Sequence, residues 1–228
     1  MIYRSNIVAP DLRRHFKHLN PAIQLMGHNM PSDPDFDPNC GSFTHDEVAI
    51  LYAIGQQVGG TFLDIGARMG WTAAHLAEAG CSVIALDPEY TRREFLQRAV
   101  RNTRHWNMIV PVAMTSAEWF ASVTRPIDGC VIDGCHDEPE PARDGAGAAA
   151  AGARVIVYHD FQGKPVRDGV TMLMDVGWHC RVFDTPNGMC VLWRKGFDFV
   201  PPDHQPDPLI HWGRNREMQT DFAFERCE

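Results

Sequence analysis

Phe62-Leu63-Asp64-Ile65-Gly66-Ala67-Arg68-Met69-Gly70-Trp71-Thr72 reads as a short apolar strand, an acid, a glycine, three residues, a second glycine and the start of a helix. Without a Cβ, Gly66 lets backbone approach a ligand closely and Gly70 lets the helix begin against the sheet. The spacing is not Gly-x-Gly-x-x-Gly, and Asp64 stands where a dinucleotide fold would begin the glycines that receive a pyrophosphate. A carboxylate there suits a cationic ligand, which disfavours a nicotinamide-dependent oxidoreductase.

On both sides of this stretch short apolar runs alternate with helix-like segments. The runs are 61–64, 82–87, 108–114, 129–133 and 154–160; the helical segments between them are 72–79, 91–102, 117–122 and the Ala-rich 142–151. Strand, helix, strand repeated in this way predicts parallel strands joined by right-handed crossovers and buried on both faces. The end differs. Residues 178–183 and 189–194 flank Asn187-Gly188, a strong hairpin signal. The expected fold is therefore α/β, a doubly wound, Rossmann-like, mostly parallel seven-stranded sheet that ends in an antiparallel hairpin.

Three regions follow. Residues 1–43 form an N-terminal extension, with a short helix expected around 12–19 and then a stretch, 31–38, whose prolines Pro31, Pro34 and Pro38 exclude regular structure. The domain, 44–195, opens at Thr44-His45-Asp46-Glu47, a capping-box pattern ahead of Val48, Ile50, Leu51 and Ile54, and Gly59-Gly60 closes that first helix. Residues 196–228, with Pro201, Pro202, Pro206, Pro208, Trp212, Phe222 and Phe224, read as a C-terminal arm packing on its own or a neighbouring subunit, which favours a homo-oligomer.

The 228 residues, 44% hydrophobic and 22% charged, suit one filled α/β core and leave no room for a second catalytic domain. A formal charge of -8, from 21 basic and 29 acidic residues, argues against a nucleic-acid partner, which needs a basic footprint. Arg92, Arg93, Arg98, Arg101 and Arg104 read as a solvated helix face. No apolar run reaches the roughly 18 residues that span a bilayer, and charges near the N-terminus (Arg4, Asp11, Arg13, Arg14) speak against a signal peptide, so no membrane partner and a cytoplasmic location are expected. Seven scattered cysteines without a Cys-x-x-Cys pair suggest neither a disulfide framework nor a zinc knuckle, and most are expected to be reduced.

Open α/β sheets bind ligands outside the carboxyl ends of their strands. Four of the five runs reach that edge with an acid: Asp64, Asp87, Asp133 and Asp160. Any one of them could simply end a strand and cap a helix. Four on one edge point to a site, and Asp87, after the second strand, is placed to accept hydrogen bonds from both hydroxyls of a ribose.

These residues, with the terminal hairpin, resemble the class I S-adenosylmethionine-dependent methyltransferases over residues 43–195. The resemblance implies that Asp64, Gly66, Ala67 and Gly70 line the methionine part of S-adenosyl-L-methionine, Asp87 the ribose, and Thr115-Ser116-Ala117 the adenine, with Ser42 or Thr44 reaching the cofactor carboxylate. Ile132-Asp133-Gly134-Cys135-His136 and His159-Asp160 are similar to paired motifs of a subgroup that includes macrolide-sugar O-methyltransferases and cephalosporin-hydroxylase-like proteins. Several of its members hold a divalent cation between these strand ends. By that likeness Asp133, Asp160 and His159 are the candidate ligands of a cation such as Mg²⁺. His159 stands where some members carry a second acid, and Cys135 adds a soft donor that would favour zinc. His136 is the candidate base, with Asp133 beside it, for a substrate hydroxyl acidified by the cation. The expected activity is O-methylation of a small-molecule acceptor. The alternative is a protein of this fold that binds the cofactor without methyl transfer. The acceptor pocket is expected from the extension, the loop after Asp160 and the arm.

Overall fold

The computed structural model describes residues 9–10, 12, 15–16, 43–183, 185 and 187–203. Most of the expected 12–19 helix, and all of the arm beyond residue 203, lie outside these. Seven strands form one sheet: β1 (Thr61–Ile65), β2 (Ser82–Leu86), β3 (Ile109–Val112), β4 (Gly129–Ile132), β5 (Val155–His159), β6 (Trp178–Phe183) and β7 (Met189–Arg194). Their order is β3-β2-β1-β4-β5-β7-β6, with β1 to β5 parallel and β7 antiparallel to both β5 and β6. The chain winds outward from β1 to β3 and then returns to lay β4 on the other side of β1. That reversal opens a crevice at the carboxyl ends of β1 and β4.

Among the described residues six α-helices cover the sheet: α1 (His45–Val58), α2 (Trp71–Glu78), α3 (Arg93–Thr103), α4 (Ser116–Ser122), α5 (Glu140–Ala150) and α6 (Lys164–Asp175). Strand side chains alternate between the faces, and both faces are buried, which is why these strands read as continuous apolar runs. Phe62, Val83, Ala85, Val131, Val155, Val157 and Val191 pack with residues of α1 and α2, whereas Leu63, Ile84, Ile132, Ile156 and Leu192 pack with Trp119 of α4, Ala148 of α5 and Leu173 of α6. Trp71, Trp106 and Trp119 are core residues.

The structure corrects two expectations. Helix α6 was not expected from the sequence: Gly163, Pro165 and Gly169 mask it, although Val166, Val170 and Leu173 lie one helical turn apart on its buried face. Gly169 lets α6 lie close to α5, since a Cβ there would stand 3.1 Å from the backbone of Pro141 and Ala142. The segment after Asp160 is thus a short turn into a helix rather than a long loop. Asp64 lies inside β1, paired with Ala85 and Val131, and Ile65 ends the strand. Three acids, not four, stand directly beyond strand ends. Among the described cysteines Cys180 is disulfide-bonded, and Cys81, Cys130, Cys135 and Cys190 are free thiols, in line with most being reduced. Among the described residues no helix is long and apolar enough to cross a membrane.

Candidate active site

The crevice beyond β1 and β4 is a cleft of about 600 Å³, lined by Ile65 and Gly66 after β1, Asp87 after β2, Met114–Ala117 after β3, and Asp133, Gly134 and Cys135 after β4. Volumes of this order hold a nucleoside-sized ligand. Its floor is tight because of one glycine. Gly66 has φ 84°, and a Cβ on it would lie 2.2 Å from the Asp133 carbonyl oxygen. It therefore joins the ends of β1 and β4, a packing reason beyond the ligand approach expected. Gly70 (φ 83°) caps α2, where a Cβ would meet Thr103 Cγ2 at 2.3 Å.

Both oxygens of Asp87 are oriented by backbone: Oδ2 accepts from the Arg68 amide at 2.9 Å and Oδ1 from the Glu89 amide at 2.8 Å. Burial raises its pKa, and these two amides pull it back. Thr115 caps α4 in a capping box with Glu118, leaving Ser116 at the cleft wall. Behind Ser116, the carboxyl of buried Asp144 is hydrogen-bonded to it and is pushed up to about 6 by burial. Ala67 is buried beneath the turn, its amide donating to the Leu86 carbonyl at 3.2 Å.

Asp64 does not line the cleft. It is 1% exposed, its Oδ2 accepts from Thr72 Oγ1 at 2.6 Å, and the Ala73 amide also binds it, so the carboxyl fills the N-terminus of α2. Burial is the largest influence and raises its pKa to about 7. Thr44, likewise 1% exposed, caps α1.

At the rim, Asp133, His159 and Asp160 converge. Their nearest ligand atoms lie within 4.8 Å of one another, with His159 Nδ1 3.0 Å from Asp133 Oδ1 and 3.5 Å from Asp160 Oδ2. Asp160 holds φ 51°, in the left-handed region, as it turns back towards this cluster. His136 Nε2 is 3.7 Å from Asp133 and Nδ1 3.6 Å from Asp160, too long for direct hydrogen bonds.

The far side of His159 holds two residues absent from the expected site. Glu47 Oε2 lies 3.2 Å from Nε2, and Asn187 Nδ2 is 3.4 Å from both that oxygen and that nitrogen. Phe43 stacks on the ring at 4.0 Å. Burial would lower the His159 pKa, but Asp133 and Glu47 outweigh it and raise the pKa well above the usual imidazole value. Burial likewise would raise Glu47, and His159 reverses it. Both residues were visible in the sequence under other roles, Glu47 as the fourth residue of a capping box and Asn187 as a hairpin turn.

This donor set fits a divalent cation. The 3.0 and 3.5 Å separations match adjacent ligand positions around an octahedral ion with bonds of roughly 2.1 Å. A carboxylate on the outer imidazole nitrogen is the usual support for a metal-bound histidine, leaving Nδ1 to face the cluster. Exposed Cys135 is not part of the cluster.

No protein-family model and no curated protein sequence matches the chain. Solved structures do. The O-methyltransferase TomG of Streptomyces achromogenes, in complex with S-adenosylmethionine, superposes with a TM-score of 0.60 at 13% identity, covering 84% of this chain and 93% of that one. The precorrin-6y C5,15-methyltransferase of Geobacter metallireducens gives 0.55 at 12% identity, with 66% and 90% covered. A precorrin 8W decarboxylase of Methanobacterium thermoautotrophicum gives 0.52 at 13% identity, with 75% and 98% covered. The chain has the fold of the class I S-adenosylmethionine-dependent methyltransferases.

Proposed function

We propose that the chain is an S-adenosylmethionine-dependent methyltransferase that acts on a hydroxyl of a small molecule with the help of a divalent cation. The observation that carries this reading is the double membership of Asp133, which lines the cleft and also belongs to the rim cluster. Cofactor and acceptor sites would thereby meet at one residue. S-adenosylmethionine would supply an activated methyl group on a sulfonium. Asp87, held by two amides, accepts the ribose hydroxyls; Ser116, fixed by Asp144, and Met114 bound the adenine side. A dication held by Asp133, Asp160 and His159 would acidify the acceptor hydroxyl. Glu47 and Phe43 keep the His159 ring in one plane. His136, half-exposed between Asp133 and Asp160, takes the acceptor proton. The rest of the task is alignment of nucleophile, methyl carbon and sulfur.

Calorimetry with S-adenosylhomocysteine tests the reading: micromolar binding is expected, and no binding by the folded protein removes it. The cation is tested separately. Methyl transfer to an acceptor found by labelled-donor profiling should be abolished by EDTA, restored by Mg²⁺ or Mn²⁺, and lost in Asp160→Ala. Transfer indifferent to both treatments would leave the methyltransferase without its metal. The decarboxylase relative gives weight to a second reading, cofactor binding with other chemistry. Turnover of an acceptor without release of S-adenosylhomocysteine would favour it.

A further inference from the structure

S-adenosylmethionine carries two positive groups and one carboxylate. The cleft proposed to hold it is acidic, with Asp87, Glu89, Asp133 and Glu140 among its lining, and among the described lining residues Arg68 is the single cation. Acidic walls suit the sulfonium and the ammonium, but they repel the carboxylate. One standard seat for that carboxylate, the amide-rich N-terminus of α2, is already filled by Asp64, through Thr72 and the Ala73 amide.

The backbone at Arg68 is also unusual. Its φ is 43°, one of two non-glycine residues in the left-handed region among those described, and it stands midway between Gly66 and Gly70 in a turn that glycine would make without strain. The bonds that fix the turn are backbone bonds: the Arg68 amide donates to Asp87 and its carbonyl accepts from Tyr90 Oη at 2.6 Å. Any residue could make them. The side chain is exposed on the cleft wall. Apart from its charge acting on Asp87, the side chain offers the fold nothing to offset the strain of this turn, and strain kept at a ligand-binding turn points to a role in binding.

We propose that Arg68 is the anchor for the carboxylate of the cofactor's amino-acid part. The inference rests on the reading of the cleft as an S-adenosylmethionine site. A guanidinium offers two parallel N–H donors to a carboxylate, so the pair would fix the methionine end while Asp87 fixes the ribose.

Two ligands separate the roles. S-adenosylhomocysteine has the carboxylate; 5′-methylthioadenosine keeps adenine, ribose and sulfur but lacks the amino-acid part. Calorimetric titration of Arg68→Gln should show S-adenosylhomocysteine binding weakened at least tenfold and methylthioadenosine binding unchanged, with Arg68→Lys in between. Arg68→Gly should show the same loss at an unchanged or higher thermal midpoint, because the turn relaxes. Equal weakening of both ligands in Arg68→Gln would mean that Arg68 acts through Asp87, whose ionised form its charge favours, and overturns the proposal. So does unchanged affinity for both, including the case in which Arg68 serves an anionic acceptor instead. If the wild-type protein binds neither ligand, it is the reading of the cleft that fails. Circular dichroism of Arg68→Gln and Arg68→Lys, which keep a side chain of similar length, guards against a folding defect.

Discussion

Asp64 stands in surroundings that its place in the sequence does not announce. An acid just before the glycines looks like a ligand for a cation, yet period-two alternation turns its side chain to the face covered by α2, where it caps that helix out of contact with the cleft. Its folded pKa of about 7 stands well above the ordinary 3.8, so the folded protein holds a proton that the unfolded chain has lost. Between about pH 4 and 7 the folded state binds more protons, and stability from this group, full below pH 3.8, is lost as pH rises through 7, with a slope of at most about 1.4 kcal/mol per pH unit. Asp64→Asn has no proton to lose. Thermal unfolding of both proteins from pH 4.5 to 8 should therefore show the variant gaining on the wild type as pH rises, by about 2 kcal/mol or more at pH 8. A pH-independent difference would show that Asp64 titrates normally. Legibility at this scale depended on whether a residue's neighbours are near in sequence. Asp87 and Asp133 line the cleft because each follows a strand directly, and Ser116 because it opens the helix that follows β3. The positive φ of Arg68 is not legible in the sequence, since it is a property of backbone and not of composition.

At the scale of elements, the two local signals read most easily, the capping box of α1 and the Asn-Gly hairpin, turn out to be joined. Glu47 accepts from the Thr44 amide at 2.7 Å, as a capping box requires, and the same carboxylate reaches His159 on β5 and the amides of Asn187 in the β6–β7 turn. A fully buried carboxylate on α1 thus joins two elements that lie more than a hundred residues further along the chain. Sequence could specify each element and not the junction, because a pattern of caps and turns contains no information on which side chain faces which across the fold. Helix α6 was lost for a different reason: its glycine and proline are interior packing devices, and they have the same composition as a loop. Removing one partner from a buried ion pair leaves the other uncompensated and costs about 3 kcal/mol or more. Glu47→Ala should lose that much in urea denaturation, and Glu47→Gln, whose amide oxygen can still accept from Thr44 but which carries no charge to face His159, should lose more than half of it. A much smaller loss in Glu47→Gln would show that the cap, not the ion pair, carries the energy.

At the scale of the molecule, the boundary between extension and domain is softer than a composition shift at residue 43 suggests. Leu12 and Phe16 are each 2% exposed and belong to the core cluster that contains α1 and α2. Phe16 stands edge-on to Trp71 at 5.1 Å and is stacked near Trp106 at 6.4 Å, and Trp71 donates its indole N–H to the Phe43 carbonyl. Phe43 in turn stacks on His159. Leu12 and Phe16 of the extension are therefore packed into the core, and Phe16 is linked through Trp71 and Phe43 to the wall of the rim cluster. Truncating a buried Phe removes its transfer energy and leaves a cavity, about 3–5 kcal/mol together. For a chain of this size Phe16→Ala should lower the thermal midpoint by roughly 6–15 °C. If the extension also steadies the rim, the same variant should weaken Mg²⁺-dependent turnover more than S-adenosylhomocysteine affinity, because Asp87 and Ser116 lie on elements that Phe16 does not touch. A midpoint shift below about 2 °C would mean that the extension merely lies on the surface of a core complete without it.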